Sequence, residues 1–502
     1  MAPRARRSGA FLVLAALVLL LAIGSLFAAL ATFRLSDARD RATERALAQA
    51  REALVAYAAD RPITAIVGPG YLPCPDLDGD GWAEATCGSL DGASGQERRL
   101  GFLPWKTLGL PMLADGDGAR LWYAVSSKYK GLLNCGESRA CVDMSPASAL
   151  GTITVRDASG HAVHDGTIGE PARAQAGGAV AVVIAPGAPL ERRLAGGGRA
   201  MQGRDCAPGD CDAQGRCLTS PPRRAAACYP ASYLDRAPSG EDNADFVDRN
   251  DTAGRASNGN GFIAGPVLAA DGAVAVNDRV VALAYGDVMP AILKRVALEA
   301  LHCLRYYATR PENAGRYPWP APSCREGSTS DATGRILGGI ADTPFTRTLD
   351  AAAGTMLERW WRATPRSPEA LRELPTSDDA CRIALAPLDA GPVRSAPPGT
   401  PSSEGESASL AGNAWWAAWQ PFVSYALAPG FSPDAPGTPA CAAGACLELA
   451  SARGATLARD AQAVVIASTS CEAAPFCDPA AGCARILLDD ADPHAHGIAA
   501  FP

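Results

Sequence analysis

Histidine is scarce in this chain of 502 residues, five in all, and the scarcity removes much familiar chemistry. No H-E-x-x-H pair stands ready for a zinc hydrolase, no G-x-S-x-G elbow for an acyl-transfer serine, and no C-x-x-C for thioredoxin-type exchange. His161 and His164, with Asp165, fall on an expected turn between strands. His302 neighbours Cys303 on an expected helix, where an oxidised thiol is inert. His494 and His496 lie in the tail and read as solvated histidines. Lysine is rare beside arginine, and a net charge of -7 with no basic patch argues against a nucleic-acid partner. The Gly-Asn-Gly run ending at Gly261 has no following Lys-Ser/Thr and no strand-to-helix setting, which excludes a phosphate loop. The expectation is a protein that is not an enzyme.

What the chain does have is a long apolar run at its start. Ala10 to Phe33 contains no charged residue, and about 24 residues at ~1.5 Å rise give a helix of roughly 36 Å, enough to cross a bilayer core. Arg4, Arg6 and Arg7 precede it, which places that flank in the cytoplasm and the bulk of the chain outside. Beyond it, Leu47, Ala50, Leu54, Tyr57 and Ala58 recur at helical spacing among Asp37, Arg39, Asp40, Arg41, Glu44, Arg45, Arg51 and Glu52. One helix of about 50 residues, half apolar and half amphipathic, should end at Pro62.

Arg6-Arg7-Ser8-Gly9 ahead of Ala10-Phe11-Leu12, then Ala46-Leu47 through Ala53-Leu54-Val55-Ala56-Tyr57 and Gly70-Tyr71-Leu72-Pro73, resemble the type IV pilin and type II secretion pseudopilin families. Where those families usually place Phe or Met after the glycine and Glu at the fifth mature position, this chain has Ala10 and Leu14. The resemblance implies leader cleavage between Gly9 and Ala10 by a prepilin peptidase and packing of the apolar helix among other pilin-like subunits. It also implies a bacterial inner-membrane protein, single-pass, with a cytoplasmic N-terminus, a periplasmic bulk and a route to a cell-surface filament. Two other readings of the segment compete: a plain uncleaved anchor, and a signal peptide cut after Ala29-Leu30-Ala31.

Sixteen cysteines in a region placed outside the cytoplasm read as disulfides. The candidates are Cys74 and Cys87, Cys135 and Cys141, Cys206, Cys211, Cys217 and Cys228, Cys303 and Cys324, and Cys441 and Cys446, connectivity open. Zinc is the rival for the Cys206 to Cys228 group, whose spacings lack paired C-x-x-C knuckles. Asp76-Leu77-Asp78-Gly79-Asp80-Gly81 matches the first half of a calcium loop, with Glu84 at the ninth position. Cys87 stands where a bidentate Glu is expected. Calcium on Asp76, Asp78, Asp80 and Glu84 is the one candidate cofactor, against a solvated Asp/Gly turn.

The order of segments suggests a duplication. A basic leader at 1–9 precedes the helix at 10–61, a first pilin-like head at 62–190, and a cysteine-containing, loop-rich connector at 191–286. A second pilin-like head at 287–483 carries an insertion, and a tail runs 484–502. In the second head, Asp287 and Pro290 start a helix whose apolar stripe is Leu293, Val296, Ala297, Ala300, Leu301, Leu304, Tyr307 and Ala308. Tyr306 to Pro311 echoes Tyr57 to Pro62, and Ala463 to Ala467 echoes the strand of the first head at 179–185. The insertion includes an amphipathic helix at Met356 to Trp361 and a loop at Gly391 to Ser409.

The expected fold class is therefore α+β: a long N-terminal transmembrane and amphipathic helix packed on a small antiparallel sheet, with a second helix-plus-sheet module. The expected function is a minor pilin- or pseudopilin-like filament subunit. The alternative is a membrane-anchored periplasmic binding or adhesion module that does not polymerise.

Overall fold

A computed structural model describes residues 7–60, 69–87, 99–130, 151–166, 177–193, 199–202, 204, 230–245, 261–309, 314–317, 336–339, 419, 422–432, 435–441, 446–451, 453–468, 476–478, 482–488 and 496–500. Helix α1 spans Arg7–Asp60 and is followed by strands β1 (Leu100–Phe102), β2 (Trp122–Val125), β3 (Val155–Arg156), β4 (Ala162–His164) and β5 (Ala181–Ala185). Short strands β6 (Glu191–Arg193), β7 (Arg199–Met201), β8 (Phe262–Ile263), β9 (Val267–Leu268) and β10 (Val274–Val276) lead to β11 (Arg279–Leu283) and helix α2 (Tyr285–Thr309). The remainder comprises β12 (Ile336–Gly339), β13 (Val423–Leu427), β14 (Leu447–Ser451), β15 (Thr456–Ala461), β16 (Ala463–Ser468), β17 (Phe476–Asp478), β18 (Gly482–Leu488) and β19 (His496–Ala500).

Two four-stranded sheets are antiparallel throughout, one in the order β1-β2-β5-β11 and the other β12-β13-β16-β19. Two further sheets are mixed. In β4-β3-β8 the β3–β8 pair is parallel, and in β15-β14-β18-β17 the β14–β18 pair is parallel. Strand β5 is buried along its whole length because both of its faces are covered. Ala181, Val183 and Ala185 join the core under the helices, while Val182 and Ile184 pack with Trp122, Phe102, Tyr233, Ile153 and Val155 on the far side. A strand covered on both sides reads as a continuous apolar run rather than an alternating one, which is the pattern Ala-Val-Val-Ile-Ala has.

The two helices do not serve separate cores. Ala46, Leu47, Ala50, Leu54 and Ala58 of α1 share one apolar cluster with Val288, Ile292, Val296 and Ala300 of α2 and with residues of both antiparallel sheets. Arg51 pairs with Asp287 at 2.6 Å, and Arg295 lies 3.8 Å from Asp60, so the helices are also cross-linked at their polar edges. Asp287 accepts the backbone N–H of Ala284 at 2.8 Å, which satisfies a donor where α2 begins. Corresponding hydrogen bonds recur in the two halves. Leu72 N donates to Tyr129 O at 2.7 Å and Tyr317 N to Phe431 O at 2.9 Å; Gly70 N donates to Ala58 O and Gly315 N to Ala308 O.

The expected fold class and location are both corrected. Among the described residues no helix is long and apolar enough to cross a membrane, so the single-pass inner-membrane anchor is not supported. From Ala46 onward the helix is spent on contacts with protein. Nor is the architecture a long helix laid on one small antiparallel sheet and then repeated. Mixed sheets make up much of the described structure, and the outer face of the first sheet lies beneath a second layer. Strand β11, counted with the connector, is the fourth strand of the first sheet.

Candidate functional site

The loop that carries the calcium expectation is fixed at both ends. Cys74 and Cys87 are disulfide-bonded with Cα atoms 5.7 Å apart, and Asp76 bridges Phe102 of β1 through N–H···O bonds of 3.0 and 2.8 Å. Between them the carboxylates fold the loop on itself. Asp76 is fully buried; its Oδ1 accepts Gly79 N–H at 2.7 Å and its Oδ2 accepts Gly81 N–H at 2.8 Å. Asp78 accepts Asp80 N–H at 3.0 Å, Asp80 accepts Trp82 N–H at 2.7 Å, and Glu84 Oε1 accepts Leu77 N–H at 3.3 Å. Gly81 sits at φ +92°, and a Cβ there would come within 2.6 Å of the Trp105 indole nitrogen, so only glycine lets the loop lie on that ring. Lys106 Nζ donates to Asp80 O and stands 5.1 Å from the Trp105 ring.

The structure brings Asp76, Asp78 and Asp80 together, one ligand oxygen from each lying within 4.8 Å of the others, while Glu84 is turned to the backbone of Leu77. It also adds a residue that the sequence did not point to. Arg120 Nη2 lies 3.2 Å from Asp76 Oδ2, its guanidinium 4.1 Å over the Phe102 ring. Burial, more than any other cause, pushes the Asp76 carboxyl up from 3.8 to about 7, against the pull of Arg120 and the two N–H donors. Calcium fits this set in part: three convergent carboxylates are hard oxygen donors, but a guanidinium already faces the first of them and Cys87 is held in a disulfide at the twelfth position.

A second polar centre lies under residues 230–245, again unsignalled in the sequence. Asp278 Oδ2 accepts Asp235 N–H and Asn243 Nδ2 at 2.8 Å each. Asp235 accepts Gln202 Nε2 at 2.9 Å and Asn277 N–H at 2.7 Å. Arg204 donates to the carbonyls of Gly187, Pro186 and Tyr233 and to Gln202 Oε1. Asp235 and Asp278 are both fully buried. Their sequence neighbours gave no periodicity that marks an acid for burial.

Two histidines lie at the surface of the mixed sheet. Ser159 Oγ is 2.8 Å from His161 Nδ1, and Asp157 Oδ2 is 3.9 Å from the same nitrogen. A nucleophile-base-acid relay needs the two partners on opposite ring nitrogens; here they converge on one, at an exposed turn. His164 Nδ1 faces Gly177 O at 3.3 Å.

Among the cysteines, Cys441 and Cys446 are also bonded, with Cα atoms 5.3 Å apart. Cys135, Cys141, Cys206, Cys211, Cys217, Cys228 and Cys324 lie outside the described residues, as do Met356 to Trp361 and Gly391 to Ser409. Cys303 is in α2, and Gly9 and Ala10 are in the first turns of α1, with side chains outside the description. In the turns of α1 that follow, Leu14, Leu17, Val18, Leu19, Leu20, Leu21 and Ile23 are 41–69% exposed. No known family model, curated protein or solved structure matches this chain.

Proposed function

We propose that this chain is a non-enzymatic minor pilin- or pseudopilin-like subunit of a type IV pilus or type II secretion-type filament, with tandem heads displayed on a shared core. The observation that carries the reading is the division of α1. Its later part is buried in the heads, whereas Leu14 to Leu21 are exposed on every face of the helix over about two turns. Apolar side chains on all sides of a helix call for neighbours on all sides.

Burying a Leu, Val or Ile fully stabilises by about 1.5–3 kcal/mol, so the seven partly open side chains from Leu14 to Ile23 amount to something on the order of 8 kcal/mol when enclosed. A single partner covers about half of that, which is no more than the roughly 4–15 kcal/mol cost of association. Several surrounding helices are needed, and a helical filament core supplies them. The partners are then other pilin-like subunits, with a prepilin peptidase acting between Gly9 and Ala10.

Two measurements test the reading. Mass spectrometry of the mature chain should find an N-terminus at Ala10; an intact Met1 or an end at Thr32 counts against it. Sedimentation of the full chain should show concentration-dependent assembly that Leu17→Glu with Leu20→Glu reduces at least tenfold. Unchanged sedimentation would remove the role given to α1.

A further inference from the structure

The outer face of the first sheet is closed by residues 230–245, and what holds them there is polar. Tyr233 packs 5.6 Å from Phe102 and 5.3 Å from Trp122, ring centroid to centroid, and Leu234 and Phe262 complete the apolar layer. Around this layer run the hydrogen bonds of Asp235, Asn243 and Asp278. Asn243 Oδ1 accepts Ile263 N–H at 2.8 Å and its Nδ2 donates to Ile263 O at 2.9 Å, tying the same segment to β8.

Among the described residues the charges in this centre do not balance. Arg204 is the one guanidinium among the described residues that faces Asp115, Asp235 and Asp278 together. The neighbouring cations are engaged elsewhere: Arg192 with Asp242, Arg156 with Glu241, and Arg279 with Asp40 and Glu44 of α1. Asp278 Oδ1 is buried with no hydrogen-bond partner among the described residues, as is Arg204 Nε. Two fully buried carboxylates joined through one backbone N–H, with an oxygen left over, are more stable holding a proton than as two anions.

We propose that Asp235 and Asp278 form a proton-operated latch. With the proton bound, residues 230–245 are clamped over the first sheet; without it the segment loosens and uncovers the Phe102, Trp122 and Tyr233 cluster. The direction of the ionisation equilibria agrees. Burial raises Asp235 from 3.8 to about 6, and burial together with the Asp235 charge raises Asp278 further. A carboxyl that binds its proton more tightly in the closed form opposes opening most below its open-state value. The closed form therefore weakens as pH rises from about 4 through about 6, with Asp278 extending the window upward.

Amide hydrogen exchange on the full chain tests this, read at Asp235, Asn243, Ile263 and Asn277 from pH 4 to 7.5, with each rate corrected for intrinsic chemistry and referenced to amides of α2. The opening equilibrium should rise at least tenfold across that range, and by up to about 100-fold for a change of about two pH units in affinity. Asp278→Asn, which keeps the shape and removes one charge, should stay more protected than the wild type at the upper end of the range and keep only the part of the pH response that Asp235 carries. A wild-type profile that runs flat beside α2, or an Asp278→Asn profile that follows the wild type, overturns the latch. Should Asp278→Asn not fold, Asp235→Asn and the wild-type series decide between the same two results.

Discussion

Replacing Asp76 by alanine separates two accounts of the most buried acid in the loop. The side chain accepts two backbone N–H groups and faces Arg120, whose side chain is 14% exposed. Its removal leaves two donors and a guanidinium without an acceptor, at about 1 kcal/mol or more each, for a loss of roughly 2–4 kcal/mol. The cost should depend on pH in a diagnostic way. Burial raises this carboxyl from 3.8 to about 7, so the folded wild type binds the proton more tightly than the unfolded chain does. Its contribution is fully present below about pH 4 and is lost by about pH 7, a change of up to roughly 4 kcal/mol. Asp76→Ala lacks that dependence. Urea unfolding of both proteins at pH 4.5, 6 and 8 should therefore show a large difference in acid that shrinks towards zero in base. Were the Arg120 ion pair dominant instead, the difference would grow with pH, and that result refutes the reasoning. Asp80→Ala, which removes one exposed bond to Trp82 N–H, should cost less than about 0.5 kcal/mol at every pH and serves as the control.

Two other outcomes follow from the geometry. Gly116 lies against the backbone of α1, where a Cβ would stand 2.2 Å from Arg39 O, and its N–H donates to Thr43 Oγ1 at 2.9 Å. Gly116→Ala should push the turn off the helix at a cost of about 1–3 kcal/mol in denaturant melts, and a cost no greater than that of Gly286→Ala, where the space is open and φ is not positive, would contradict this close approach. For calcium on Asp76, Asp78, Asp80 and Glu84, millimolar calcium should raise the melting temperature of the wild type. It should leave the protein carrying Asp78→Asn with Asp80→Asn unchanged; no shift in the wild type removes the metal from the loop.

The residues that periodicity governs were the legible ones. The apolar stripe from Leu293 to Ala308 is helical because i, i+3 and i+4 residues share a face, and that segment is α2. The runs Ala181–Ala185 and Ala463–Ser468 lie in strands buried along their length, as continuous β-branched stretches do. The membrane span was the misreading, since an apolar composition states only that a stretch avoids water and not what encloses it. The mixed sheets escaped as well, because β3 and β8 pair in parallel across more than a hundred residues of intervening chain.

Local sequence thus determined where this chain is helical or extended, because spacing of side chains along one backbone segment is set by that segment alone. The partners of its buried charges were decided by tertiary structure. Asp76 meets Arg120 at a separation of 44 residues, and Asp235 meets Asp278 at 43. Which acid loses its water, and which cation or donor then faces it, depends on how layers stack over the first sheet. No pattern in the vicinity of either residue encodes that stacking.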